Sequence, residues 1–588
     1  MIFAFTLAAG ITFNSCETLE LEQVDNPNQL TEADPDLLLN SIQLSYRNAV
    51  TTFNNVGSQL SRIEYMSGRN YFNTWGSGTL DGAWTNLYAN IVPDIAAIQE
   101  IDAASEDVDL SFHVGVSKIM EAHLLMLFVD YIGDIPYSQI NQPDEFPNPT
   151  VDNDEEVYAS ARALLAEAKS LLNGASIGTG TDFYYDGDAD AWIKLANTLL
   201  MRADLTVGNY SAVINATNVI EDSADDFEFA YGTNANSPDT RHPDYASDYR
   251  SDGANLYRSN WLINLMAGSY GDYFEDDDPR RRYYFYRQNA ITPGNITVLY
   301  NQDTDSYSII SGAPNGETLS CSLETVPSQL EFTPDEDYWC SAKLGYWGRM
   351  HGDDDGIPPD NFTRTAVGVY PAGGNFDDHD DFITTYYDAE EDDDVFVTYT
   401  NRLALGAGGG GAGIEPIMLS SYVEFMRAEA YMAQSNPTAA AAALEDGITE
   451  SITKVVAFGS LDGGADSSYA PDETRIQTFI DDMVAEFESA STTTGLDGFG
   501  WPVDKDKMDI LGEQYFVALY GAGADAFNFI RRTGYPRTLA RNVEINPGPF
   551  PRTLLYPSGE VSSNPNLNQR TDNATQVFWD NGVTNPAN

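Results

Sequence analysis

The stretch KIMEAHLLMLFVDYIGDIPYS, from Lys118 to Ser138, decides the fold. Ile119, Met120, Leu124, Leu125, Leu127, Phe128, Val129 and Ile132 leave almost no polar face, so a helix over 109–132 must be enclosed by other helices. Gly133, free to enter the left-handed region, and Pro136, which has no N–H to donate, end it. The chain is therefore expected to be mainly α.

Before this element, Asp36–Phe53 reads as a helix and 54–78 as a loop rich in aromatics and glycine. Asp81–Glu100 follows as a helix with Trp84, Leu87 and Tyr88 on one face. After it, the acids Asp152 to Glu156 suit a helix N-terminus, and Val157, Ala161, Leu164, Leu165, Ala168 and Leu172 continue as a helical stripe. Trp192–Leu205 and Tyr210–Glu221 make a further pair about the Gly208-Asn209 turn. Residues 222–413 then shift to Asp, Gly, Tyr and Asn with little helical periodicity, which reads as a long insertion of loops and short strands.

Helices resume at Glu415. Met418, Tyr422, Phe425 and Met426 form one face, and Asn436-Pro437 opens the next helix, where Ala440, Leu444, Ile448 and Ile452 recur every four residues. Pro471–Phe487 and Lys507–Tyr520 make another pair. Helix hairpins in succession resemble tetratricopeptide-like units, each burying its face only against its neighbours. The predicted organisation is a signal peptide over 1–16, an extended leader over 17–35 and one domain over 36–588. Within that domain, helix pairs cover 36–221 and 415–533, the loop-rich insertion covers 222–413, and 534–588 wraps the surface irregularly.

Among 588 residues, 90 are Asp or Glu and 30 are Lys or Arg, a formal charge of −60. Such a field leaves no basic stripe for nucleic acid and repels an anionic membrane surface. It keeps a protein soluble through a solvated acidic surface, while 34 Tyr and 12% aromatic residues argue against disorder. Cys16 follows the apolar run Ile2 to Phe13, too short to span a bilayer but suited to a secretory segment. Phe13-Asn14-Ser15-Cys16 looks like a lipobox, which makes Cys16 the lipidated residue and the lipid anchor the only membrane contact. Glu17, Glu20 and Glu22 resemble the export tag of surface-exposed lipoproteins in the Bacteroidetes. Cys321 and Cys340 can form a disulfide only if their Cα atoms lie within about 7 Å, which the sequence leaves open.

Several motifs follow one another in order: Asp130 to Ser138 (DYIGDIPYS), Asp182 to Asp188 (DFYYDGD) with Trp192 to Leu199 (WIKLANTL), and Pro416 to Phe425 (PIMLSSYVEF) with Arg427 to Ala430 (RAEA). Arg531 to Pro536 (RRTGYP) and Arg552 to Pro557 (RTLLYP) close the series. The ordered set resembles the SusD/RagB family of outer-membrane nutrient-binding lipoproteins. Gly345 to Arg349 (GYWGR) and Gly368 to Gly374 (GVYPAGG) point to its SusD-like subgroup. The resemblance implies a non-catalytic protein, lipid-anchored in the outer membrane and facing the cell exterior. Such a protein captures oligosaccharides or oligopeptides and acts as the lid of a SusC-like TonB-dependent transporter. The alternatives are a surface adhesion or assembly module and an extracellular polymer hydrolase.

Sugars and peptides are both gripped by flat aromatic faces with polar groups between them. Arg69, Asn70, Tyr71 and Trp75 have that composition, as do Tyr338, Trp339, Trp347 and Arg349. Tyr71 and Trp75 stand first, because their loop shows no periodicity to explain them, whereas Trp84 and Trp192 lie on helical stripes and read as core. The clusters Asp276–Asp278, Asp353–Asp355 and Asp392–Asp394 raise the question of Ca2+. Asp353 and Asp355 are the best placed, between Gly352 and Gly356, yet three adjacent Asp on an extended segment cannot all face one ion. Solvated charge is the favoured reading, and no other cofactor is expected. His113, His123, His242, His351 and His379 show no HExxH spacing, which argues against catalytic zinc. An acidic body favours neutral or cationic cargo.

Overall fold

A computed structural model describes residues 34–104, 108–266, 278–288, 297–301, 306–310, 346, 348–354, 361, 364–379, 385–388, 393–395, 403–491, 505–544 and 546–588. Cys16, Cys321, Cys340, Tyr338, Trp339, Trp347 and Asp355 lie outside the described residues, as does almost all of the leader.

The central helix, Ser111–Ile132, is long and apolar enough to cross a membrane, yet its apolar window is wholly buried inside the protein. Gly133 stops it at φ 93°, donating its N–H to Val129 O at 2.8 Å. Asp152 then fixes the IPYS turn, accepting Tyr137 N at 2.7 Å and Ser138 N at 2.9 Å. Asp154–Leu172 packs along the central helix, Ala189–Thr206 along that, and Tyr210–Ile214 next. Ser420–Ala433 pairs with Pro437–Ala457, Glu473–Ser489 joins the latter, and Lys507–Ala518 packs on these three. Ala524–Thr533 returns to the first helix, Pro35–Leu60, and closes the arrangement.

Three helices depart from their predicted extents, each for a local reason. Pro35–Leu60 runs past Phe53 because Asn54 and Gly57, which follow, are buried against other segments of the chain rather than facing water. Asn54 donates to Glu415 Oε1 at 2.9 Å, and a Cβ at Gly57 would stand 2.2 Å from Gly523 O. The helix from Asp81 changes to a π turn over Asn86–Ile91 before Val92–Ala104. Pro93 offers no N–H to the ladder and crowds the carbonyl a turn earlier, which a π turn accommodates. Tyr210–Ile214 stops well short of Glu221, where Asn218 adopts φ 53°.

The insertion is rooted by an antiparallel ribbon of Phe227–Ala230 and Ile414–Met418, pairing Phe227 with Met418 and Ala230 with Ile414. Its described part also holds the short helices Pro243–Asp248, Asn260–Met266 and Arg281–Tyr284, which the sequence reading passed over. Segments of 6, 7 and 4 residues are too brief for helical periodicity to register. Short strands complete it, including a four-stranded sheet in the order Ser306–Ile310, Thr297–Asn301, Thr385–Asp388, Asp393–Val395.

Inside this scaffold the motif residues bond to one another. Asp130 is fully buried; its Oδ2 accepts from Arg202 Nη2 and Asn528 Nδ2, each at 2.8 Å, and its Oδ1 accepts from Trp579 Nε1 at 2.9 Å. Arg202 also donates through Nε to Asp525 at 2.7 Å. Arg532 grips Glu429 with two hydrogen bonds of 2.7 and 2.6 Å, joining the RRTGYP and RAEA motifs. Trp192 Nε1 donates to Asp182 at 2.7 Å, which explains the DFYYDGD turn ahead of its helix. Arg62, Arg258, Arg280, Arg281, Arg287 and Arg531 are all fully buried, so cations scarce in the sequence are scarcer still at the surface.

Asp130→Ala strands the Arg202 guanidinium beside one carboxylate and leaves two buried donors without an acceptor. A stability loss of about 3–5 kcal/mol is expected in denaturant titration. Burial pushes the Glu415 carboxyl from 4.5 up to about 7. The folded chain therefore keeps a proton that the unfolded chain releases, and this site's stabilisation is lost as pH rises from 4.5 through 7. Glu415→Gln is expected to reduce the fall in melting temperature between pH 5 and pH 8, and slopes identical to the unmutated chain would rule this carboxyl out as a cause.

Candidate functional site

Two stretches singled out from the sequence meet in space. The chain after the first helix, residues 61–75, lies against residues 348–354 of the insertion, and 538–544 and 546–550 of the C-terminal wrap close over both. Gly352 N donates to Met66 O at 2.9 Å, Asn260 N to Arg349 O at 3.0 Å, Val543 N to His351 O at 3.0 Å and Tyr71 N to Pro547 O at 2.9 Å. Backbone ladders of this kind hold the seam without help from exposed side chains.

Beneath the seam is a buried knot. Arg62 donates through Nε to Ala540 O at 3.0 Å and through Nη2 to Tyr71 Oη at 3.0 Å. Tyr71 Oη in turn lies 3.1 Å from His351 Nε2. Burial, followed by the Arg62 charge, pushes the His351 imidazole well below its ordinary range, so it is neutral. Burial also lowers Arg62.

Tyr71 is 0% exposed and Trp75 7%, so the two residues expected to face a ligand are core residues. The reason is a single helical turn, Tyr71–Thr74, capped by Asn70 Oδ1, which accepts Asn73 N at 3.1 Å. Positions 71 and 75 are one turn apart and share the inner face, while Phe72 and Asn73 point outward. Phe72 is 37% exposed. The spacing of Tyr71 and Trp75 was the available signal for this inversion.

Arg69 is ion-paired with Asp354, and both are partly exposed at the rim. Tyr65 Oη donates to the Asp353 carbonyl, while the Asp353 carboxylate is buried 3.9 Å from Arg349. Among the described residues no group of three or more His, Cys, Asp or Glu side chains gathers as a metal ion would require. Arg349 and Arg364 lie over the ring of Tyr257, with guanidinium carbons 4.3 and 3.8 Å from its centroid, and Tyr65 meets the same ring edge-on at 5.7 Å. Sequence reading found Arg349 but missed Tyr65, Tyr257 and Arg364; Tyr257 and Arg364 are isolated in irregular chain, where no periodicity marks them.

Trp75 Nε1, His351 Nδ1 and both amide atoms of Asn260 are buried with no hydrogen-bond partner among the described residues. Buried polar atoms normally find partners, so each of these marks a place where water or a ligand completes the bonding. The seam thus combines an outward Phe72, the amides Asn70 and Asn73, and the Arg69–Asp354 pair above an incompletely bonded base. An apolar ring face flanked by fixed donors and acceptors suits a ligand that is itself both flat and polar.

A family model described as "Starch-binding associating with outer membrane" matches residues 27–317. The fold is similar to that of a SusD/RagB family protein from Bacteroides thetaiotaomicron, with TM-score 0.58 and 17% identity over 94% of this chain and 100% of that one. It is also similar to a chitin-binding SusD homolog from Flavobacterium johnsoniae, with TM-score 0.55 and 16% identity over 93% and 98% of the two chains. A SusD homolog from Parabacteroides distasonis gives TM-score 0.58 and 14% identity over 94% and 99%. No curated protein matches the chain by sequence. The family match over residues 27–317 and the fold shared with these structures are both SusD-like.

Proposed function

We propose that this chain is a surface nutrient-binding lipoprotein of the outer membrane, anchored through Cys16, which captures a neutral oligosaccharide at the seam of 61–75 with 348–354. It then hands the sugar to a SusC-like TonB-dependent transporter. The observation that carries the reading is the outward Phe72 set between Asn70, Asn73 and the Arg69–Asp354 pair. A sugar ring presents an apolar face and a rim of hydroxyls, and this arrangement offers a partner for each. Relatives described as chitin-binding and starch-binding favour a glycan over an oligopeptide. Cations turned inward and a charge of −60 favour a neutral glycan over a sulfated or uronic one. Capture and delivery need no chemistry on the bound sugar, so no catalytic residue enters the proposal.

Isothermal titration of the full chain against N-acetylchito-oligosaccharides, malto-oligosaccharides and a mixed tryptic peptide pool tests this. One glycan series is expected to bind, and Phe72→Ala is expected to weaken it by about tenfold, or about 1.4 kcal/mol, with the melting temperature unchanged. Binding of the peptide pool alone, or of neither, would contradict it.

A further inference from the structure

A second concavity lies where other segments of the chain meet. Trp84, Tyr88 and Val92 follow one another along one helix face and form a wall, with the Trp84 and Tyr88 rings 4.3 Å apart. The loop 136–149 faces them, bringing Phe146 and the amides Gln139, Asn141 and Gln142. The short helix Ser558–Ser563 closes one end through Glu560. The cavity measures about 290 Å³.

This groove is built in advance. Pro136, Pro143, Pro147 and Pro149 stiffen the loop, which lowers the entropy cost of binding. Asn564 Nδ2 ties Pro149 O at 2.8 Å, Asn566 Nδ2 ties Asn148 O at 2.6 Å, and Asn141 Nδ2 reaches Val92 O at 3.3 Å. Tyr88 Oη donates to Pro136 O at 2.8 Å.

The groups that line the groove indicate the ligand. Trp84 is 7% exposed and sets its indole ring in the wall of the groove. Glu560 Oε1 accepts Asn564 Nδ2 at 2.8 Å, leaving the other carboxylate oxygen free for a donor. Amides and a carboxylate beside aromatic rings match hydroxyl groups, which both donate and accept. A proline-rich peptide would need its carbonyls met by the Tyr and Trp donors, and Tyr88 has already spent its own. Asp144 and Glu145, exposed on the same loop, repel anionic sugars. The volume is small for a binding site, so it accommodates a chain end rather than a chain crossing.

We propose that the groove between the Trp84–Tyr88 face and the 136–149 loop is a second saccharide site, which takes the terminal one or two rings of a neutral pyranose chain. It rests on the glycan reading above for ligand class only, since it uses different residues. The C-terminal wrap connects the two sites: Pro547 is bonded to Tyr71 at the seam, and Ser558, at the start of the short helix that closes the groove, donates its Oγ–H to Asp81 Oδ2 at 2.6 Å and its N–H to Ser77 O at 2.9 Å. A glycan held at both would be gripped at an end as well as along its length.

The test is saturation-transfer NMR and titration calorimetry on the full chain with cellobiose, maltose and N,N′-diacetylchitobiose. The proteins compared are the unmutated chain, Phe146→Ala, Gln142→Glu and Phe72→Ala. Gln142 is exposed and its replacement nearly isosteric, so a folded protein is expected even if Phe146→Ala disturbs the loop. One disaccharide is expected to bind with a component that Phe146→Ala and Gln142→Glu each weaken at least tenfold and that Phe72→Ala leaves unchanged. Binding that only Phe72→Ala removes would overturn the groove and leave the seam standing. Binding that only the groove variants remove would uphold the groove and overturn the seam. Absence of binding by all three disaccharides to the unmutated chain would overturn both. A proline-rich decapeptide that shifts the Trp84 indole N–H signal where the disaccharides do not would overturn the saccharide assignment.

Discussion

Asp130 sits where the central helix is about to end, and three elements far away in sequence reach it. Arg202 comes from Ala189–Thr206, Asn528 from Ala524–Thr533 and Trp579 from the C-terminal wrap. A carboxylate in an apolar interior is costly unless its oxygens are fully bonded, and this one accepts three bonds, one of them from a guanidinium. The arrangement therefore ties helices from both halves of the chain, and the C-terminal wrap, to one point on the central helix. The Gly133 stop and the Asp152 clamp follow within a few residues, so the termination of one buried helix and the docking of the chain's far end are a single structural event.

Much of this was legible. The near-absence of a polar face between Ile119 and Ile132 called for enclosure by other helices, and the 22-residue helix is buried among them. Motifs that resembled a family as strings acquire reasons in space: Arg532 needs Glu429, and Trp192 needs Asp182. What escaped the sequence was whatever depends on distant contacts. The last turns of Pro35–Leu60 look like loop because Asn54 and Gly57 are there for Glu415 and Gly523, not for the helix itself. At the seam, composition singled out the loop from Arg69 to Trp75, but a single turn of helix exchanged its inner and outer residues, putting Phe72 outside and Tyr71 inside. Six- and seven-residue helices in the insertion carry too little pattern to be seen at all.

Charge gives the surface its character. With arginines such as Arg258, Arg280 and Arg287 spent on buried carboxylates, the exterior is left to Asp and Glu. Ligand contact then falls to rings and amides, the groups on the surface that neither repel a neutral glycan nor demand a counter-ion. The seam and the proline-walled groove, the two proposed sites, are both built this way, and the wrap from 546 to 566 touches each, so the irregular C-terminal segment is a structural part of both.

The proposed role, binding partner of an outer-membrane importer, is tested most directly by gentle solubilisation of native membranes, capture of this protein and mass spectrometry of what accompanies it. The expected result is a stoichiometric TonB-dependent barrel, a diacylated peptide beginning at Cys16 and neutral oligosaccharide retained in the complex. Recovery of the chain alone, without barrel or glycan, would contradict it.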